Sequence, residues 1–113
     1  MKALVLEEPG EEPKLSVKEV TIPKLGAQDV LVKVTACGFC HHDVAVMRGI
    51  LRRGVKPQVI LGHEISGEVA KVGDLVTSVS PGDHVVSLLT ESCGQCSRCR
   101  TGHEYRCLYG KGI

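Results

Sequence analysis

The stretch SCGQCSRCRTGHEYRC, residues 92–107, places four cysteines at the spacing C-x2-C-x2-C-x7-C. Four thiols so close together leave three readings: a disulfide framework, a redox pair with neighbours, or a metal cage. A thioredoxin-like redox motif needs two cysteines in a βαβ setting, whereas here two overlapping C-x-x-C units share Cys96. Each tight C-x-x-C loop turns two sulfurs toward one point, which a tetrahedral zinc site requires. Cys93, Cys96, Cys99 and Cys107 are therefore expected to form a closed four-thiolate zinc lobe. Such a site has no open position for substrate, so it stabilises the fold and performs no chemistry. Its formal charge of about −2 would be offset by Arg98, Arg100, Arg106 and Lys111, all near in sequence.

The rest of the chain reads as strands. Apolar or alternating runs at 2–6, 14–20, 29–36, 58–61, 65–72 and 83–89 are separated by Gly- and Pro-containing turns such as LGAQD and SPGDH. That pattern predicts a mainly β antiparallel barrel or sandwich. Only HHDVAVMR, residues 41–48, reads as helix, with Val44 and Met47 at i, i+3 and Asp43 in the first turn. With 113 residues and 42% hydrophobic content, the chain suffices for one domain with a core. A net charge of +1 and 3% aromatics argue against nucleic acid or an anionic membrane as partner. Glu7 and Glu8 interrupt any early apolar segment, and no run reaches the roughly 18 apolar residues of a membrane span. A cytoplasmic setting is expected, in which clustered cysteines bind metal more often than they form disulfides.

A second group of metal-competent residues lies upstream. Cys40 precedes the helix, and His63 and Glu64 follow a glycine after an apolar run. All three are competent zinc ligands. A helix N-terminus favours the thiolate of Cys40. Taken alone, each also fits an ordinary surface or packing residue.

Together these motifs resemble the N-terminal, GroES-like part of zinc-dependent alcohol dehydrogenases of the medium-chain dehydrogenase/reductase family. The signature G-H-E-x2-G-x5-G-x2-V is matched by Gly62, His63, Glu64, Gly67, Gly73 and Val76, the four cysteines have the family spacing, and PGDHVV at 81–86 looks like its strand start. The resemblance covers essentially the whole chain and implies a GroES-like barrel over 1–113 with a short helix and a zinc lobe, incomplete at its C-terminus. It implies that Cys40 and His63 bind a catalytic zinc, that Glu64 is a ligand or near-ligand exchanging with water or substrate, and that the four-cysteine lobe holds a structural zinc. Asp43 falls where a carboxylate orients the zinc-bound histidine, and His41 where a basic residue faces the cofactor's pyrophosphate. His42 replaces the usual Ser or Thr hydroxyl, so an imidazole would relay the alcohol proton. His84 and His103 are expected to have no such role.

The implied reaction passes hydride between an alcohol, aldehyde or ketone and NAD or NADP, with zinc stabilising the alkoxide. No G-x-G-x-x-G follows a strand, so the Rossmann cofactor domain and the third protein ligand of the catalytic zinc are expected outside this chain. The expectation is a fragment of a homo-oligomeric parent (dimer or tetramer) that holds the catalytic zinc loosely or not at all and is inactive alone. The competing reading is a non-catalytic, zinc-stabilised interaction module, indifferent to where Cys40, His63 and Glu64 lie.

Overall fold

A computed structural model describes residues 1–51, 55, 58–88 and 91–110. Leu89, the end of the predicted 83–89 strand, and Lys111 lie outside the described residues. Among the described residues, two three-stranded antiparallel sheets and one short α-helix make the fold mainly β, as expected. The first sheet has the order β2-β1-β4, with β1 at Lys2–Glu8, β2 at Lys14–Glu19 and β4 at Val59–Ile60. The second has the order β3-β5-β6, with β3 at Val30–Gly38, β5 at Glu64–Val72 and β6 at His84–Val86.

Strand β1 is central in its sheet because its middle is apolar: Val5 and Leu6 are 3% and 2% exposed. Burying side chains of this kind contributes about 1.5–3 kcal/mol each. An exposed Lys14–Glu8 pair and a half-buried Lys18–Glu7 pair, both 2.7 Å, bridge β1 and β2. Such surface pairs help register more than stability. In the second sheet Val69 of β5 is 1% exposed. Tight approach of chains explains one signature glycine: a Cβ on Gly73 would overlap the backbone carbonyls of Gly26 and Ala27.

Helix α1 spans His41–Met47. Its cap is reciprocal. The Cys40 sulfur accepts from the His42 amide at 3.3 Å, and the Asp43 carboxylate accepts back from the Cys40 amide at 3.0 Å. The predicted apolar stripe of Val44 and Met47 is only half-buried, and the fully buried positions are Asp43 and Val46. Asp43 is drawn inward because it has backbone donors to satisfy there. Beyond β6 the chain forms the cysteine lobe with two 3₁₀ turns, Cys99–Thr101 and Glu104–Arg106. Among the described residues no helix is long and apolar enough to cross a membrane.

Candidate metal centres

The register of the second sheet builds the first centre. Strands β3 and β5 pair Cys37 with Ile65 and Gly38 with Glu64. Cys40, two residues past the end of β3, thereby arrives beside His63, one residue before β5. Cys40 Sγ lies 3.2 Å from His63 Nε2, and one ligand atom from each of Cys40, His63 and Glu64 lies within 4.8 Å of the others. For a zinc with Zn–S near 2.3 Å and Zn–N near 2.05 Å, tetrahedral geometry puts sulfur and nitrogen about 3.6 Å apart. The observed pair is within a few tenths of an ångström of that. The three sequence candidates thus converge rather than splay.

Asp43 organises the group from below. It is buried, and its second oxygen, Oδ1, accepts from the Gly62 amide at 3.2 Å and lies 3.6 Å from His63 Nδ1. One carboxylate therefore ties the helix cap, the turn before β5 and the inner edge of the imidazole, leaving Nε2 directed at Cys40. Gly62 adopts φ +95°, and a Cβ there would overlap the Cys37 sulfur. Only glycine suits both that conformation and that contact.

His42 stands with its ring centroid 5.1 Å from that of His63, edge to face. Cys40, His42, His63 and Glu64, with Val86 and Ser87, line an open cleft of roughly 410 Å³. His41 is exposed at the first position of α1. Val86 and Ser87 escaped the sequence reading. They sit in the apolar run assigned wholly to a strand, where a single Ser in DHVVSLL was the only signal. In the structure the strand ends at Val86, and Ser87 uses its side chain instead.

The second centre is local. All six cysteines are free thiols. Cys96 Sγ lies 3.5 Å from Cys99 Sγ and 3.9 Å from Cys107 Sγ, and Cys93 Sγ lies 4.0 Å from Cys99 Sγ. A tetrahedron of sulfurs 2.3 Å from one zinc has edges of about 3.8 Å, so the observed spacings bracket the expected one. Backbone amides already point at the sulfurs: Cys96 N donates to Cys93 Sγ at 3.3 Å, and Cys93 N and Tyr109 N donate to Cys107 Sγ at 3.3 and 3.4 Å. Amides of Leu108 and Cys99 bring the Cys96 thiol down to about 6. The amides of Cys93 and Tyr109 lower Cys107. Burial pushes Cys99 up to about 12, and the neighbouring Cys96 and Cys107 thiols add to that. The cluster therefore holds its protons unevenly: amide donors favour thiolate at Cys96 and Cys107, and burial keeps the proton on Cys99. Arg98, Arg100 and Arg106 are exposed around it. His103 Nδ1 lies 3.2 Å from the Thr101 hydroxyl, clear of the sulfurs' coordination.

Comparison with known proteins places the chain in a family. The family model for the alcohol dehydrogenase GroES-like domain matches residues 26–113. An S-(hydroxymethyl)glutathione dehydrogenase of Escherichia coli O6:H1 is 44% identical over 117 aligned positions, covering 99% of this chain and 31% of that protein. Among solved structures, the alcohol dehydrogenase TADH from Thermus sp. ATN1 superposes with a TM-score of 0.86 at 35% identity, over 100% of this chain and 32% of that one. A cobalt- and zinc-bound thermostable alcohol dehydrogenase from Pyrobaculum aerophilum gives 0.81 at 35% identity, over 100% and 35%. The chain spans about a third of the length of the curated relatives it matches. It belongs to the alcohol dehydrogenase GroES-like family, within the medium-chain dehydrogenase/reductase lineage of zinc alcohol dehydrogenases.

Proposed function

We propose that this chain is the metal-binding part of a zinc-dependent oxidoreductase that transfers hydride between an alcohol, aldehyde or ketone and NAD or NADP. The observation that carries the reading is the convergence of Cys40, His63 and Glu64 within 4.8 Å on an open cleft, apart from the four-cysteine cluster. A mixed sulfur, nitrogen and carboxylate set with an open side suits a catalytic zinc, and four thiolates suit a structural one. A non-catalytic module has no need of that convergence. Zinc held by Cys40, His63 and Glu64 would supply Lewis-acid chemistry at an alcohol hydroxyl, and a nicotinamide cofactor would supply the redox chemistry.

The chain's own residues do the rest. Asp43 holds the Cys40 amide and the His63 ring in one arrangement, as carboxylates behind metal-binding histidines do. Val86 offers an apolar wall to the carbon skeleton of the substrate. His42, on the same cleft, takes up the alcohol proton on a ring nitrogen and passes it toward solvent. His41 provides a polar contact for the cofactor's pyrophosphate. The relatives are about three times as long, which supports placing the nucleotide-binding domain, and the third protein ligand of the catalytic zinc, in sequence beyond these 113 residues. On this reading the chain alone is inactive.

Metal analysis tests the reading. Purified chain should retain one zinc tightly, on the four cysteines, and take up a second weakly, with the weak uptake lost in Cys40→Ala. Two tightly held ions, or alcohol-dependent reduction of NAD by this chain, would contradict the fragment reading. An unaltered second ion in Cys40→Ala would remove the catalytic site. In the full-length enzyme His42→Ala should slow turnover and change its pH profile, and unchanged kinetics would end the relay.

A further inference from the structure

Ser87 touches the turn that carries two of the candidate ligands more closely than any ladder pair would require. Its hydroxyl donates to the His63 carbonyl at 2.5 Å and accepts from the Ile65 amide at 3.0 Å, while its own amide donates to the Ile65 carbonyl at 2.9 Å. The antiparallel pairing of β5 with β6 ends at Ser66 opposite Val86. One residue further, the hydroxyl stands in for a backbone carbonyl and closes on both sides of Glu64. Ser87 is exposed and itself lines the cleft, so its three bonds are not a by-product of core packing. Fixing the His63 carbonyl fixes the peptide that leads into Glu64, and fixing the Ile65 amide fixes the peptide that leads out.

The geometry points to Ser87 as a positioning residue for the metal centre: its hydroxyl clamps the His63–Glu64–Ile65 backbone so that His63 and Glu64 present their ligand atoms together. The inference rests on the proposed reading of Cys40, His63 and Glu64 as metal ligands. Without the hydroxyl, the Ile65 amide and the His63 carbonyl turn to water and Glu64 samples a wider arc. The metal must then order the turn as it binds, and outer partners of ligands typically set affinity by about 10–100-fold. A threonine keeps the oxygen and both bonds. An alanine keeps only the main-chain bond.

Cobaltous ion is the probe, because thiolate-bound cobalt absorbs in the visible and the four-cysteine lobe reports separately from the mixed site. Titration of the chain should fill the lobe first, then a weaker site whose absorption is absent in Cys40→Ala. Ser87→Ala should weaken that second site at least about tenfold and alter its band shape, leave the lobe's band unchanged, and be rescued by Ser87→Thr. Equal affinity and band shape in Ser87→Ala, with the Cys40-dependent band intact, would overturn the clamp while sparing the site. Equal losses in Ser87→Ala and Ser87→Thr, or a change in the lobe's band as well, would also overturn it, since the hydroxyl would not be the cause. If the unmodified chain shows no Cys40-dependent band at all, the proposed weak uptake by this chain fails and the clamp falls with it.

Discussion

Replacing Asp43 by alanine should be the most damaging single change near the metal centre, and its size follows from the bonds it breaks. Asp43 accepts from the Cys40 amide at 3.0 Å and from the Gly62 amide at 3.2 Å, in a buried position. Hydrogen bonds to a charged partner contribute about 1.5–3 kcal/mol each, so two are worth about 3–6 kcal/mol. Alanine leaves room for water to reach the orphaned amides, which recovers part of that and leaves a net loss of about 2–4 kcal/mol. For a domain whose total stability is about 5–15 kcal/mol, this is a large fraction. The chain has no Trp, so urea unfolding should be followed by far-ultraviolet circular dichroism, at one fixed free-zinc concentration for all variants. With a slope of about 2 kcal/mol per molar urea, the midpoint should fall by about 1–2 M. Asp43→Asn keeps a carbonyl oxygen for one of the two amides and loses the charge, so it should fall between alanine and the parent. A loss below about 0.5 kcal/mol in Asp43→Ala would refute the claim that this carboxylate holds the cap and the turn together.

Zinc affinity of the four-cysteine lobe should rise with pH between 6 and 8, by about tenfold per pH unit for each proton released. Cys99, held up near 12, keeps its proton across that range and must give it up on loading, whereas Cys96, held down near 6, adds to the slope only as the pH falls toward its own value; a competition titration with a chelator that shows no pH dependence would contradict this. Gly62→Ala should destabilise the chain by about 1–3 kcal/mol through its positive φ, with an added clash against Cys37. Cys37→Ala should relieve the clash and not the φ, so a full rescue in urea unfolding would be the unexpected result. Cys99→Ser should remove the tightly held zinc and lower the thermal midpoint of the zinc-loaded chain, and an unchanged metal content would disprove the cage.

What could be read from the sequence was what short-range spacing controls. C-x2-C-x2-C-x7-C dictates where four sulfurs go with little help from the rest of the chain, and the lobe forms within a separation of 14 residues. The strands were visible as apolar runs between turns, with ends that coincide or differ by up to three residues. The meeting of Cys40 with His63 across 23 residues was different. Nothing in either segment alone demands it, and only the family pattern suggested it. Its physical cause is the β3–β5 register, which no local spacing encodes. Spacing alone showed Asp43 only as a first-turn acid, and the family pattern placed it behind the histidine; in the structure it turns inward to satisfy two amides, and Val46 at i, i+3 is buried with it. Ser87 was illegible because its role depends on a third strand's register, and a serine in an apolar run has no distinguishing local context.

The two centres therefore differ in what holds them ready. The lobe's sulfurs receive amide donors from their own loop, so its geometry is a local property. The mixed centre is assembled from the far end of β3, the turn before β5 and the end of β6, across 23 and 24 residues. Side chains on a strand alternate faces, so a slip of one residue in either pairing would carry a ligand to the wrong side. Perturbations of the second sheet should thus weaken the mixed centre long before they reach the lobe. The same asymmetry fits the proposed division of roles: a closed local cage would tolerate disturbance and stabilise, while an open site spread over three elements would stay adjustable at the cleft.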